Sequence, residues 1–203
     1  MTNRKKSYGE EHKLSIVDKL GGYLSLIKIK AIINQIKKPI FCLDIGCGYD
    51  ARLLFSLIPY IESGTGIDVS ISDRLKKIEN LNFIEESVES ALKKTVPNAF
   101  NLILMNSVLE HFDNPLAALK DSYQLLKEDG VLIINVPTWL GKYFLEISAF
   151  RFGLSPKEEM DDHKMYYDKK DLWPLLVKAG FKPSKIRMEY HKFGLNLFSC
   201  VVK

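Results

Sequence analysis

Phe41-Cys-Leu-Asp-Ile-Gly-Cys-Gly48 decides how this chain folds. Ile40 to Ile45 is a short, mostly apolar run with turn-forming residues on either side: Pro39 before it, Gly46-Cys-Gly48-Tyr-Asp50 after it. A run of that length, bounded in that way, predicts a buried strand. The glycine turn leads into residues 51–60, which read as a helix ending near Pro59. Strand, glycine turn and helix together make a cradle where backbone can approach a ligand closely, since glycine has no side chain to hold it off. In an open α/β sheet such a ligand lies outside the carboxyl ends of the strands.

The same rhythm repeats outward from that point. Gly64-Thr-Gly-Ile-Asp68-Val69 reads as a strand, with a helix capped by Ser72 after it. Leu81-Asn-Phe-Ile84 is a strand and Val88–Thr95 a short helix. Phe100–Met105 is a strand, and Asn114–Lys127 a helix with Asn114-Pro115 in its cap and first-turn positions. Gly130–Ile134 is a further strand. Strands alternating with short helices predict a doubly wound α/β fold, a mainly parallel sheet covered on both faces. Asp168–Ala179 reads as a helix capped by Gly180. The last two runs, near 184–191 and 195–202, flank a turn at Gly194 and pair as an antiparallel hairpin.

Toward the amino terminus, Leu20, Leu24, Ile27 and Ala31 fall at helical spacing. Residues 13–37 are therefore expected to form an amphipathic helix, with Gly21-Gly22 as its weak point and Pro39 as its stop. The organisation expected is a helical extension over 1–38 and one domain over 39–203, with an aromatic-rich insertion at 139–166.

The chain of 203 residues is 46% hydrophobic and 27% charged, which excludes a disordered chain or a small disulfide scaffold. Its net charge is +4, too mild to demand a nucleic-acid partner. The charge is uneven: residues 1–40 carry nine bases against Glu10, Glu11 and Asp18. That basic segment suits at most a peripheral contact with a phosphate or an anionic membrane surface. Cys42, Cys47 and Cys200 are an odd number without zinc spacing, which points to a reducing, cytoplasmic setting and to no metal site. The N-terminus lacks the apolar core of a secretory signal, and no run of about 18 apolar residues predicts a spanning helix.

Which ligand the cradle takes turns on two carboxylates. Asp68 ends the second strand about twenty residues after the glycine turn, where it can accept hydrogen bonds from ribose hydroxyls. Gly46-x-Gly48-x-x-Ala51 also satisfies a dinucleotide fingerprint. That variant aims a helix N-terminus at a pyrophosphate, and Asp44, two residues before Gly46, would repel one. S-adenosylmethionine carries an ammonium and a sulfonium and no phosphate, so Asp44 favours it.

Phe41–Gly48 resembles the first motif of the class I S-adenosylmethionine-dependent methyltransferases. Gly66-Ile-Asp68-Val-Ser70 is similar to their second-strand motif, Phe100-Asn-Leu-Ile-Leu-Met-Asn-Ser-Val-Leu-Glu-His111-Phe to their fourth, and Leu125–Pro137 to their fifth strand and the helix before it. Leu172–Phe181 resembles the helix that follows. The resemblance covers about residues 38–202, with a looser likeness to methyltransferases associated with bacterial surface-polysaccharide assembly. It implies a Rossmann-like, seven-stranded sheet whose last strand is antiparallel. It also implies that Asp44, Gly46 and Gly48 hold the methionine part of the cofactor, that Asp68 binds the ribose with Val69 beside the adenine, that Ser87 and Val88 border the adenine, and that Asn106 faces the donor. One departure stands out: Asp50 occupies the family's third glycine position. Two alternatives therefore stay open, a catalytically silent binding protein of the same fold and, against Asp44, a nucleotide-dependent oxidoreductase.

Methyl transfer from a sulfonium needs positioning first, and a base only where the acceptor must lose a proton. His111, after the fourth strand, and His163, in Asp161-Asp-His-Lys164, are the candidate bases. Asn106-Ser-Val-Leu109 lacks the Pro-Pro motif of amino-group methylases of bases, which leaves a small-molecule acceptor or a glycan or lipid-linked one. Leu140, Phe144, Ile147, Phe150 and Leu154 predict an amphipathic helix over 139–153. Trp139 and Tyr143, partly off that stripe, are its candidate acceptor contacts, forming a roof over the pocket.

Overall fold

The computed structural model describes residues 7–10, 16–144 and 163–203. At its centre β1 (Phe41–Ile45) lies between β2 (Ser63–Asp68) and β4 (Phe100–Asn106), parallel to both. β3 (Leu81–Glu85) extends the sheet beyond β2, and β5 (Leu126–Pro137) extends it beyond β4. The hairpin of β6 (Ile186–His191) and β7 (Asn196–Val202) completes the order β3-β2-β1-β4-β5-β7-β6. β7 enters between β5 and β6 and runs antiparallel to both, giving the single reversed strand expected of the seven.

Alternation along the strands divides the core into two layers, because successive side chains leave a strand on opposite faces. Leu43, Ile103, Met105, Leu132 and Ile134 face one layer, with α3 (Val88–Lys94), α4 (Pro115–Leu125) and α6 (Lys169–Ala179) packed on it. Cys42, Leu102, Leu104, Val131 and Ile133 face the other, beneath α1 (Ile16–Ile33) and α2 (Arg52–Leu57). Helix ends follow local chemistry. The Asn114 side chain accepts from the Ala117 N–H at 3.1 Å, and Asp168 and Asp171 form a reciprocal capping box at the start of α6.

Three expectations change. α1 runs unbroken through Gly21-Gly22, and the face it buries is Ser25, Ile29 and Ile33 rather than Leu20, Leu24, Ile27 and Ala31. Leu20 and Ile27 are 58% and 48% exposed. Apolar residues surround this helix, so periodicity offers two stripes, and the isoleucine pair wins by filling the layer over Cys42 and Leu104. Residues 13–15 of that expected helix lie outside the described residues. Ser72 does not open a helix; a single 3-10 turn, Leu75–Lys77, suffices to reach β3. Ser72 instead donates its N–H to the Tyr49 carbonyl at 3.0 Å, bracing the glycine turn. β5 begins earlier than expected, at Leu126, with a register irregularity between Phe100 and Leu102. Residues 139–144 form a helical segment of about a turn and a half, here α5; residues 145–162, which hold the rest of the expected insertion helix, lie outside the described residues. Among the described residues no helix is long and apolar enough to cross a membrane.

Candidate functional site

β1 delivers Asp44 to the carboxyl edge of the sheet, and the chain turns there on Gly46 and Gly48, at φ 71° and 77°. Both are left-handed conformations that glycine adopts without strain. Space demands glycine as well. A Cβ on Gly46 would stand 2.4 Å from Val108 Cγ2, and one on Gly48 would stand 3.3 Å from the Tyr8 carbonyl oxygen. The Gly46 and Cys47 N–H groups both donate to the Ile67 carbonyl, at 2.9 and 3.1 Å, which fixes the loop to the end of β2.

Asp44 is 2% exposed, and its Oδ2 has no hydrogen-bond partner. Burial, reinforced by the negative charge of Asp68 and opposed by a hydrogen bond from the Leu54 backbone, pushes its carboxyl up to about 8. An orphaned, buried carboxylate oxygen beside a glycine turn is a receptor for a cation, since an unpaired buried charge is costly and an incoming ammonium relieves it. Asp68 sits opposite and accepts from the Gly48 and Val69 N–H groups, each at 2.8 Å. Ser7, 61 residues earlier, donates its hydroxyl to the same carboxylate and accepts from the Ser70 N–H at 3.0 Å. Asp68 is thus already engaged by a hydroxyl. Nothing in the sequence pattern singled out Ser7. The strap it belongs to is pinned by the Tyr49 N–H donating to the Tyr8 carbonyl at 3.0 Å.

Asp50, the residue in place of a third glycine, pairs with Arg74 at 2.6 Å and Arg52 at 3.1 Å. Its charge is turned toward those guanidinium groups. Ser87 stands at the cap position of α3, and Val88 behind it is buried. Asn106 closes β4, where its Oδ1 accepts from Asn135 Nδ2 at 3.0 Å. Asn135, at the neighbouring position of β5, is 1% exposed and also reaches Ser25 Oγ of α1 at 3.3 Å. It is a site residue that sequence spacing did not flag. Two hollows of about 320 and 510 Å³ lie beside α3 and beside α2, the second lined by Asp50, Arg52 and Arg74. The glycine turn itself is covered by the Ser7–Tyr8 strap.

Beyond β4 the chain makes a 3-10 turn, Leu109–His111, whose three residues are all buried. The turn begins one residue after Val108, the side chain that abuts Gly46. The segment after 162 docks on it: the Lys164 N–H donates to the Glu110 carbonyl at 2.9 Å, Lys164 Nζ pairs with Asp113, and the Tyr167 hydroxyl donates to the Leu109 carbonyl at 3.4 Å. This brings His163 against His111, with ring centroids 4.8 Å apart at 66°. Tyr166 meets His163 edge to face, with ring centroids 5.5 Å apart at 75°, and its hydroxyl is 3.2 Å from His163 Nδ1. Trp139 of α5 packs against Tyr166, with ring centroids 5.6 Å apart and tilted at 47°, and donates its indole N–H to Asp171 at 3.3 Å. Trp139, Tyr166, His163 and His111 form one continuous aromatic row. Tyr143 is 60% exposed.

The sheet order, the glycine turn and the two carboxylates at the strand tips together define a class I, Rossmann-like methyltransferase domain. Residues 24–185 match the family model described as a methyltransferase domain, and the chain belongs to that family. S-adenosylmethionine is the cofactor of the class. Among curated proteins, the chain is 32% identical over 115 residues to a ubiquinone biosynthesis O-methyltransferase of Glaesserella parasuis, covering 52% of this chain and 48% of that protein. It is 29% identical over 110 residues to a protein of the same name from Yersinia enterocolitica, covering 48% of this chain and 45% of that one. The match thus spans about half the length of these curated relatives. Among solved structures, a S-adenosylmethionine-dependent methyltransferase from Archaeoglobus fulgidus superposes with a TM-score of 0.65 at 17% identity, covering 90% of this chain and 94% of that chain. A Burkholderia thailandensis 1,6-didemethyltoxoflavin-N1-methyltransferase, solved with S-adenosylhomocysteine, gives 0.65 at 20% identity, covering 92% of this chain and 81% of that chain. At these identities the structural likeness concerns the fold.

Proposed function

We propose that this chain transfers a methyl group from S-adenosylmethionine to a small-molecule acceptor or to one carried on a glycan or lipid. The single observation that carries the reading is the pair of carboxylates at the strand tips. Asp44 presents a buried oxygen without a partner, suited to the donor's ammonium. Asp68 is held by backbone N–H groups so that its carboxylate receives hydroxyls, as it receives that of Ser7. When bound, S-adenosylmethionine supplies a methyl on a sulfonium, already activated for in-line displacement. What this chain then has to do is position and desolvate. Gly46 and Gly48 let backbone close on the ligand; Ser87, Val88 and Val69 stand where the adenine is expected, and Asn106, steadied by Asn135, faces the donor.

The acceptor side is the row from Trp139 to His111. An acceptor that reacts through a hydroxyl must lose a proton, and buried His111 with half-buried His163 against it is the pair placed next to the donor loop to assist that loss. The name of the curated relatives favours an oxygen acceptor. Asp50 does not argue for a silent binding protein, because Arg52 and Arg74 neutralise it. We place the reaction in the cytoplasm, a setting supported by three free cysteines. The basic amino-terminal segment supports at most a peripheral contact with an anionic surface.

The test is calorimetry with S-adenosylhomocysteine on the whole chain and on Asp68→Ala. Binding is expected for the native chain and should weaken in the variant by about 1.5–3 kcal/mol, the range for hydrogen bonds to a charged group. Tight binding that is unchanged in Asp68→Ala would place the donor elsewhere and overturn the assignment.

A further inference from the structure

Glu110, His111 and His163 each offer one ligand atom, and those atoms all lie within 4.8 Å of one another. We propose that this cluster is a divalent cation site, and that the ion's open position takes the oxygen of the acceptor. The inference deepens the methyl-transfer reading above and rests on it for the identity of the acceptor's partner.

The donor set argues for a first-row cation. Two imidazoles and one carboxylate suit zinc and its neighbours, and three protein ligands with a position left over is the pattern of catalytic rather than structural zinc. A tetrahedral ion bonded at about 2.1 Å keeps its ligands roughly 3.4 Å apart. The three side chains therefore need to close by little more than an ångström. Two of them are buried, Glu110 at 1% and His111 at 5%, within one rigid turn whose backbone is tied to residue 164. The third is oriented from behind: the Tyr166 hydroxyl lies 3.2 Å from His163 Nδ1, the kind of outer contact that fixes which imidazole nitrogen is left for a metal. No local spacing announces the site, since 52 residues separate His111 from His163. The fold assembles it by docking residues 163–167 on the Leu109–His111 turn, immediately after the Val108 contact with the donor loop.

A cation here does what an imidazole base would otherwise do. It lowers the pKa of a hydroxyl bound to it. The acceptor's proton passes to solvent, and the oxygen that remains forms its bond to the methyl carbon as the carbon–sulfur bond breaks. His111 and His163 then act as ligands, not as proton carriers.

The test uses Co²⁺ as a spectroscopic probe on the intact chain, followed by Zn²⁺ displacement. One equivalent of Co²⁺ is expected to bind with visible d–d absorption and to be displaced by Zn²⁺. His163→Ala, at a half-buried position that leaves the fold intact, should weaken Co²⁺ at least tenfold, and Glu110→Gln should do the same. S-adenosylhomocysteine affinity, measured on the same samples, should stay within about threefold in His163→Ala. No d–d absorption, or Co²⁺ affinity unchanged in His163→Ala, overturns the metal site whatever the donor affinity. Loss of donor binding in the native chain while Co²⁺ still binds overturns the methyltransferase reading alone and leaves the metal site standing.

Discussion

The hydroxyl of Ser7 donates to the carboxylate of Asp68, the group assigned to the donor's ribose. A side chain from the amino-terminal strap and a ribose hydroxyl thus seek the same acceptor. Ser7→Ala should remove the competitor. S-adenosylhomocysteine should then bind about tenfold more tightly, the equivalent of 1.4 kcal/mol, while the empty protein loses about 1 kcal/mol of stability with the hydrogen bond. Calorimetry and thermal melts check both. Weaker binding in Ser7→Ala would show instead that the strap completes the donor pocket.

Asp44 makes donor binding depend on pH. Its carboxyl titrates near 8 in the folded protein, above its ordinary value, chiefly through burial. Below about 8 the empty site is protonated, so an arriving ammonium must expel a proton. Donor affinity should therefore rise from pH 6 to pH 8 with proton release, measurable in buffers of different ionisation enthalpy. Stability runs the other way. The folded state holds a proton that the unfolded chain gives up above about 4, so the empty protein loses stability as pH rises through that window. Asp44→Asn should flatten the stability profile, melt higher than the native chain at pH 8.5, and fail to bind S-adenosylhomocysteine.

Gly46 and Val108 meet where a Cβ would stand only 2.4 Å from Val108 Cγ2. Gly46→Ala should cost about 1–3 kcal/mol for overpacking, with a further penalty for the positive φ. Denaturant melts of Gly46→Ala, Val108→Ala and the double variant form a cycle. The double variant should recover only the share of the steric cost due to the Val108 methyls, because the Cβ of residue 108, 2.8 Å from the added one, remains, and none of the backbone cost; complete rescue would argue against the conformational cost.

His191, between the hairpin strands and α1, is held near 4, below its ordinary value, by burial first and then by Lys28 and Lys192. Its Nε2 is buried without a partner. The folded state keeps the imidazole neutral while the unfolded chain takes up a proton below about 6.5, so stability should fall between pH 6.5 and pH 4. His191→Gln should lessen that decline. An unaltered acid melting profile would remove His191 from the account.

Trp139 reaches the histidine row through Tyr166, whereas Tyr143 is mostly in solvent. Replacing either with alanine should leave S-adenosylhomocysteine affinity within about threefold, because neither touches the donor loop. Turnover should fall more in Trp139→Ala than in Tyr143→Ala. Equal losses of donor affinity and melting temperature in both would make α5 a packing element only.

The features legible in the sequence were those carried by local pattern. The glycine turn after an apolar run fixed β1 and the donor side, Asp68 was reachable from the length of one βαβ step, and Gly194 between two runs announced the hairpin. Features made by docking were not legible. Ser7 meets Asp68, Asn135 meets Ser25, and Glu110 meets His163 only once distant segments close, and no periodicity records those meetings. The buried face of α1 is illegible in the sequence for a related reason: apolar residues encircle the helix, and the sheet beneath it selects among them.

The placement of β7 has a consequence for how the molecule is made. β6 leaves the ribosome before β7, yet its only sheet neighbour among the described residues is β7, which also pairs with β5, from Pro137 to Asn196 across a long intervening stretch. Until β7 is in place, β6 has no strand to pair with and the edge of β5 stays open. Sealing waits for the segment from Asn196 to Val202, which inserts between the two and closes that edge in one late event.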